Sequence, residues 1–284
     1  MERVTDPRRK QPIAVFDSGV GGLTVLHECL VSLPNEDFVY LGDTARFPYG
    51  ERSPEQLRAF SLELANMLVD EGAKMIVIAC NSATAAALAD LRKELAGLVP
   101  VVGVVKPESR VAAQVTNNDR VGVLATPATI ASGAYERALA EAGPDTILTA
   151  VPCPDLAPVI QAGREVDEAL VGIVEDYCEP LRDAGVDTVI LGCTHYPLVR
   201  PVLQRALGRG VKLVTSGQAI ADSVEAELRR VGLDNDADRR GDYRFLCSGD
   251  PELFRRLGTR FLQLPLGEVR QVAVEAPDAA TVAA

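Results

Sequence analysis

Short apolar runs alternate with amphipathic segments along most of the chain, and this alternation predicts parallel β-strands connected by α-helices. The clearest unit is residues 75–84, where an apolar run ends at Cys80 and small polar residues follow. The residues after it are strong helix formers, so we predict a buried strand, a short turn and a helix, with Cys80 between strand and helix. The same arrangement returns at residues 186–197, where the apolar run ends before Cys193. Both thiols therefore lie at the sheet edge where open α/β folds bind ligands.

The remaining units fall into two sets, one with Asp17 and Cys80 and the other with Thr126 and Cys193. We predict an α/β fold of two doubly wound, pseudo-symmetric, flavodoxin-like domains, with the active site in the cleft between them. Strands are predicted at residues 12–16, 38–42, 99–105, 120–125, 146–151, 211–214 and 243–247, and helices at residues 23–33, 54–69, 198–207 and 218–231. The first domain is expected to cover residues 12–103 and 215–270, the second residues 104–214, and residues 1–11 and 275–284 are expected to be disordered tails.

Composition and charge narrow the class of protein. The chain has 284 residues, enough for about two domains, and is 47% hydrophobic without any tryptophan. Its net charge of −11 repels nucleic-acid phosphates, so we expect no nucleic-acid partner, and an anionic ligand would need local N–H donors. No apolar run is long enough to span a membrane and no signal-peptide core is visible, so we expect a cytoplasmic protein without a membrane partner. Its six cysteines are then reduced, and their spacing indicates neither a disulfide framework nor a zinc site.

The two thiols are candidate proton carriers. The N–H groups and dipole at the start of a helix lower the pKa of a thiol there, which favours the thiolate. Asp17, at the end of the first strand, is the candidate assistant for Cys80, and His195 is the candidate assistant for Cys193. The other histidine, His27, is expected to be a packing residue of the first helix. A thiolate and a thiol on opposite faces of a carbon could invert its configuration by proton transfer.

Other interpretations of these residues stay open. Asp17 or Ser18 could simply cap the first helix. A metal site at Cys80, Cys193 and His195 is disfavoured, because Cys-x-His is not a usual zinc spacing.

The glycine-rich turn at residues 19–24 also allows a dinucleotide-binding interpretation. Its first two glycines fit the fingerprint, and Asp43 ends the next strand at about the required distance of 20 residues. However, Gly22 comes too early and Thr24 takes the place of the last glycine, so the match is partial.

Motifs in the same order along residues 12–225 resemble those of bacterial glutamate racemases. They are FDSGVGGLT at residues 16–24, YLGD at 40–43, PYG at 48–50, ACNSAT at 79–84, SGAY at 132–135 and LGCTHYP at 191–197. The resemblance implies an enzyme that interconverts L- and D-glutamate with no cofactor and no metal, and that supplies D-glutamate for peptidoglycan. It implies a small-molecule partner, glutamate, and leaves a homodimer open.

The resemblance also implies a role for each matching residue. Cys80 and Cys193 would be the catalytic bases on opposite faces of the α-carbon, with Cys193 acting on the L-isomer and Cys80 on the D-isomer. Asp17 would assist Cys80, and His195 would assist Cys193. The residues that fall on substrate-binding positions are Asp17, Ser18, Tyr49, Gly50, Asn81, Ser82, Thr194 and His195. Whether Glu165, Thr126 and Thr129 line the site stays open.

The chain departs from the family pattern near the expected hinges at residues 103–105 and 214–217. Residues 106–108, Lys-Pro-Glu, stand where the family often has an acidic residue before the proline, and Ala125 stands where a glycine is common. These departures concern domain motion and effectors more than the chemistry. Two alternative functions remain: a racemase of aspartate or another small acid in the same superfamily, and a nucleotide-binding oxidoreductase.

Overall fold

The computed structural model describes residues 6–163, 166–235 and 237–275. These residues form two β-sheets in which every strand pairing is parallel. Alternate residues of the first strand pack into different hydrophobic clusters, with Ile13 and Val15 in one and Ala14 and Phe16 in the other. The first sheet is therefore buried on both faces, as the continuous apolar runs predict. The predicted α/β class with doubly wound parallel sheets is confirmed.

All described strands but the last follow the predicted order along the chain, and the last was not predicted. They are β1 (Ile13–Asp17), β2 (Phe38–Gly42), β3 (Met75–Ile78), β4 (Val101–Gly103), β5 (Arg120–Ala125), β6 (Ile147–Pro152), β7 (Thr188–Gly192), β8 (Lys212–Val214), β9 (Tyr243–Cys247) and β10 (Val269–Gln271). The first sheet has the order β10-β9-β2-β1-β3-β4, and the second has the order β6-β5-β7-β8.

Helices connect these strands. They are α1 (Leu23–Ser32), α2 (Pro54–Asp70), α3 (Asn81–Glu94), α4 (Val105–Val115), α5 (Pro127–Ala131), α6 (Ala134–Ala142), α7 (Leu156–Gln161), α8 (Glu168–Asp183), α9 (Arg200–Leu207), α10 (Ser216–Val231) and α11 (Pro251–Leu262), with short 3-10 helices at Pro7–Lys10 and Tyr196–Val199. Over the ranges that the structure describes, no helix combines the length and the apolar character needed to cross a bilayer.

The topology explains why the chemistry-bearing residues meet. In the first sheet β1 lies between β2 and β3, and in the second β5 lies between β6 and β7. The chain therefore reverses its direction of winding next to β1 and next to β5, and such switch points are where open α/β sheets bind ligands. Asp17 and Cys80 lie at the first of these points, and Thr126 and Cys193 lie at the second.

Local sequence sets the ends of several helices. Ser53 caps α2: its hydroxyl accepts from the N–H of Gln56, whose side chain accepts from the N–H of Ser53. Pro54 occupies the first turn, where no N–H donor is needed, so the capping box and the proline together define this start. Strands β2 and β9 have the predicted bounds.

Some predicted boundaries are wrong. The strand predicted at residues 99–105 ends at Gly103, and α4 begins at Val105, so Pro107 lies in the first helical turn. A proline is tolerated there because the first N–H groups of a helix have no partner within it. The helix predicted at residues 198–207 is a 3-10 turn followed by α9, and α10 begins at Ser216 rather than at residue 218.

The disorder predicted for residues 1–11 is wrong for residues 6–11. The side chain of Asp6 caps the 3-10 helix Pro7–Lys10, and the ammonium of Lys74 donates to the carbonyl of Arg9 over 2.6 Å. Long-range contacts therefore hold this segment against the first sheet. At the other end, the N–H of Glu275 donates to the carboxylate of Glu63 over 2.8 Å. Residues 1–5 and 276–284 lie outside the described residues.

Candidate active site

The two thiols line one small cavity between the sheets. Cys80 follows β3 and is the N-cap of α3, where its Sγ accepts from the N–H of Ala83 over 3.5 Å. Cys193 follows β7, and its Sγ lies 3.8 Å from Nδ1 of His195. Each sheet therefore contributes one thiol from the carboxyl end of a strand, as the sequence predicts.

The cavity is small and its walls come from both sheets. Its volume is about 20 Å³, which is room for about one water molecule, since a water needs roughly 10–15 Å³ by this measure. An amino acid does not fit between the thiols in this arrangement. The predicted site residues in the lining are Ser18, Tyr49, Gly50, Cys80, Asn81, Ser82, Cys193, Thr194 and His195. Thr126 also lines the cavity, whereas the predicted Glu165 lies outside the described residues.

Asp17 lies directly behind this lining and is fully buried. Its Oδ2 accepts from the N–H of Gly19 over 3.0 Å, and its Oδ1 accepts from the hydroxyl of Thr194 over 3.2 Å. Burial raises the pKa of the Asp17 carboxyl to about 6, and the hydrogen bonds that it accepts oppose this rise. Near neutral pH this group can therefore gain or lose a proton at modest cost.

The expectation of low thiol pKa values is wrong for this closed structure. Burial raises the pKa of Cys80 to about 12, and the charge of Asp17 adds to the rise, while the N–H of Ala83 opposes it. Burial also raises the pKa of Cys193 well above its usual value. Loss of hydration destabilises a thiolate here more than the N–H groups and dipole at the helix start stabilise it. Both thiols are consequently protonated until something in the cavity stabilises a negative charge.

His195 is neutral and has a defined tautomer. Burial lowers its pKa to about 3. Its Nε2 lies 2.9 Å from Oε1 of Gln161, an oxygen that can only accept, so the ring proton is on Nε2. Nδ1 is then an acceptor and faces the thiol of Cys193. The rings of Phe47 and Phe261 pack on the imidazole, with centroid distances of 5.4 and 5.3 Å.

The sequence did not reveal Gln161. Its residue type is common in helices, and only the tertiary structure brings α7 against the turn that carries His195. The one signal in the chain is Gly19: a Cβ there would lie 2.7 Å from Oε1 of Gln161, so this glycine leaves room for the amide.

A cluster of three hydroxyls bridges the two halves on the other side of the cavity. Ser82 Oγ lies 2.8 Å from Thr126 Oγ1 and 3.1 Å from Thr129 Oγ1, and the two threonine hydroxyls are 2.9 Å apart. Thr126 thus lines the site, and Thr129 supports it from behind. Among the described residues the lining includes Glu51 but no lysine or arginine. An anionic ligand would accordingly be held by hydroxyl and N–H donors.

Tyr49 contributes its ring rather than a free hydroxyl. The phenol is buried and its hydroxyl donates to Oδ2 of Asp43. Asp43 also accepts from Nε of Arg46 over 2.6 Å and from the hydroxyl of Ser248 over 2.7 Å. This network fixes the ring against the cavity and leaves the hydroxyl occupied.

The glycine-rich turn does not have the role that a dinucleotide site requires. A Cβ on Gly21 would lie 2.5 Å from Nδ1 of His195 and still closer to the hydroxyl of Thr194. The missing side chain therefore allows the turn after β1 to approach the turn after β7. A larger groove of about 790 Å³ lies elsewhere, near Arg92, Lys106 and Arg110, and no cysteine or histidine lines it among the described residues.

Glu108 is another buried group that the sequence did not single out as functional. Its carboxylate accepts from Asn81 over 3.0 Å and from the hydroxyls of Tyr135 and Ser216. Burial raises its pKa to about 7, and the three donated hydrogen bonds oppose the rise. The only signal was its place in the 106–108 segment, which departs from the family pattern.

The fold and the site define an α/β protein in which each parallel sheet presents a cysteine to a shared cavity. The chain belongs to the Asp/Glu/hydantoin racemase family, whose model matches residues 25–224. A glutamate racemase of Geobacter metallireducens is 45% identical over 264 residues, which are 93% of this chain and 97% of that protein.

Solved structures agree with this membership. A glutamate racemase isoform of Bacillus anthracis superimposes with a TM-score of 0.87 at 36% identity, covering 95% of this chain and 99% of that one. A glutamate racemase of Francisella tularensis in complex with D-glutamate has a TM-score of 0.86 at 33% identity, covering 93% and 98%. The resemblance seen in the sequence and the prediction of an amino-acid racemase, an isomerase, are confirmed.

Proposed function

We propose that this chain interconverts L- and D-glutamate without a cofactor, using Cys80 and Cys193 as the two proton carriers. The observation that carries the proposal is the shared cavity, into which each sheet delivers one thiol. The glutamate racemases at 45% and 36% identity, and the D-glutamate bound to the Francisella tularensis protein, support glutamate as the substrate.

Proton movements can be written for both directions. For L-glutamate, Nδ1 of His195 would take the proton of Cys193 while the cleft is open, because hydration there relieves the burial that lowers the pKa of His195 and raises that of Cys193. The resulting thiolate would then remove the α-proton. Cys80 delivers its own proton to the opposite face of the carbanion, which inverts the configuration. For D-glutamate, Asp17 assists Cys80 and the roles of the thiols reverse. In both directions one thiol is charged and the other is neutral at the start. This agrees with the pKa of Cys193, which negative charges on Cys80 and Asp17 raise, so that two charged thiols side by side are disfavoured.

Substrate binding would follow from the donors around the cavity. The hydroxyls of Ser18, Ser82, Thr126 and Thr194 are donors within reach, and the amide oxygen of Asn81 is an acceptor. The cavity of about 20 Å³ corresponds to a closed state. The substrate would enter when the two domains move apart, the first formed by residues 12–103 and 215–270 and the second by residues 104–214. Closure would then exclude water from the carbanion.

The cellular setting follows from the same proposal. D-glutamate is a component of peptidoglycan, so we place the enzyme in the cytoplasm, where cell-wall precursors are made, with glutamate as its small-molecule partner. A homodimer remains compatible with this role.

Loss of optical rotation of D-glutamate in a chelated, cofactor-free buffer tests the proposal. Racemisation to an equal mixture supports it. Activity on D-aspartate without activity on D-glutamate would assign a relative with another substrate. A requirement for an added nicotinamide or flavin nucleotide would overturn the cofactor-free mechanism.

A further inference from the structure

A buried carboxylate connects the two halves of the protein next to the site. Glu108 lies on α4 and is fully buried. Its partners come from three other helices: Asn81 begins α3, Tyr135 belongs to α6 and Ser216 begins α10. None of these contacts is local in sequence, so the carboxylate orients groups that the chain brings together only on folding.

These contacts fix the orientation of one amide. The Nδ2 of Asn81 lies 3.0 Å from Oε2 of Glu108 and 2.8 Å from the hydroxyl of Tyr135. In its ionised form Glu108 can only accept, and the Tyr135 hydroxyl already donates its proton to Glu108, so both sites then demand a donor from Asn81. Turning the amide over would bring Oδ1 against two oxygens. Glu108 therefore holds the nitrogen of Asn81 on its own side.

The oxygen atom of the same amide lacks a hydrogen-bond donor in the part of the chain that the structure describes. Oδ1 of Asn81 is buried and finds no hydrogen-bond partner among the described residues. Asn81 follows Cys80 directly and lines the cavity with both thiols. A buried acceptor without a donor is costly, and its cost is removed when a ligand supplies one. The carboxylates of glutamate have no N–H or O–H to give, whereas its α-ammonium has three N–H donors.

We propose that Glu108 is a positioning residue, which holds the amide of Asn81 so that Oδ1 receives the α-ammonium of glutamate. This inference rests on the proposed function and names a determinant of its specificity. The ammonium, once bound beside Cys80, also brings a positive charge close to a thiol that is otherwise neutral. Glu108 touches neither the substrate nor the thiols and acts through Asn81.

Substitution Glu108→Gln tests the inference, because glutamine has the same shape but can also donate. The amide of Asn81 is then free to turn over, and the KM for D-glutamate should rise about tenfold, as expected for a weakened hydrogen bond to a charged group. Glutarate has both carboxylates of glutamate but no ammonium. Its inhibition constant should stay within about twofold, because it never used the Oδ1 acceptor.

Three further measurements complete the design. Ser109→Ala is the control: it removes a hydroxyl of the same helix that donates to the carbonyl of Val105 rather than to Glu108, so its KM should match the wild type. Tyr135→Phe removes the other acceptor of the amide nitrogen while Glu108 still accepts from it, so KM should rise less than in Glu108→Gln and glutarate inhibition should not change. This variant replaces Glu108→Gln should that variant not fold. In the double variant Asn81→Asp with Glu108→Gln, the amide at position 108 donates to the carboxylate at position 81. The other oxygen of that carboxylate is then an acceptor on the cavity side, so KM should recover.

Equal weakening of glutamate and glutarate in Glu108→Gln would overturn the inference, since it would mean general damage to the cleft. An unchanged KM in both Glu108→Gln and Tyr135→Phe would overturn it as well. A wild-type protein that fails to racemise glutamate would instead overturn the proposed function, so the two failures are distinguishable.

Discussion

The hydroxyl of Thr194 donates a hydrogen bond to Oδ1 of Asp17 over 3.2 Å. Asp17 ends β1 of the first sheet, and Thr194 directly follows Cys193 after β7 of the second. The candidate acid beside Cys80 is thus held by the neighbour of the opposite thiol. Separation of the two halves, as proposed for substrate entry, would break this bond and admit water, so the pKa of Asp17 and the access of substrate would change together.

The first prediction concerns the two thiols. Cys80→Ala and Cys193→Ala should each abolish racemisation, because each removes one of the two proton carriers. In D₂O, Cys193→Ala should still exchange the α-proton of D-glutamate and Cys80→Ala that of L-glutamate, as followed by NMR. Cys178 is a buried cysteine of α8 outside the cavity lining, and Cys178→Ala should racemise glutamate. Racemisation by either active-site variant would exclude the two-thiol scheme.

The second prediction concerns the tautomer of His195. In His195→Asn the proton acceptor for Cys193 is lost, so turnover from L-glutamate should fall by about 100- to 10,000-fold, and turnover from D-glutamate should fall less. Initial rates at saturating substrate measure this asymmetry in kcat, because kcat/KM must fall equally in the two directions of a reaction whose equilibrium constant is 1. His27, whose Nδ1 contacts the carbonyl of Leu262 over 2.8 Å, provides the matched control, and His27→Asn should change neither direction. Equal slowing in both directions would contradict a role dedicated to Cys193.

The sequence predicted the features of this site that depend on local pattern. Cys80 stands between an apolar run and a run of helix formers, and that arrangement alone places it at the end of a parallel strand. The partners that tune the chemistry could not be predicted in this way. Gln161 and Glu108 reach the site through tertiary contacts, and the pKa of Cys80 is governed by burial in a cavity that two distant segments close.

A third prediction follows from the pKa of Asp17. Its value in the unfolded chain is 3.8 and burial raises it to about 6, so the folded state binds the proton more tightly. The stability due to this group is therefore fully present below the unfolded pKa and is lost as pH rises through the folded pKa. Between about pH 4 and pH 7.5 the loss amounts to about 2–3 kcal/mol of unfolding free energy. Asp17→Asn has no such loss.

Urea unfolding of both proteins at these two pH values measures the difference. The asparagine side chain in the variant does not ionise. The unfolding free energy of Asp17→Asn minus that of the wild type should therefore rise by about 2–3 kcal/mol between about pH 4 and pH 7.5. The altered hydrogen bonds of the variant add a difference that does not depend on pH. Activity should fall at the same time, with the larger effect from D-glutamate. A stability difference that does not change with pH would contradict the buried, high-pKa carboxyl.

The last prediction concerns the closed arrangement itself. Gly21 is not in the left-handed region, so Gly21→Ala strains no backbone dihedral, yet its Cβ would lie 2.5 Å from Nδ1 of His195. The two turns cannot then approach as they do here, although no polar group has been removed. A displacement of about 1 Å between reacting groups costs about 100-fold, and kcat/KM should fall by that order. Gly172 on α8 has nothing within 4 Å of an added Cβ, so Gly172→Ala should keep the wild-type rate. A wild-type rate in Gly21→Ala would mean that catalysis occurs with the two turns farther apart than in this structure.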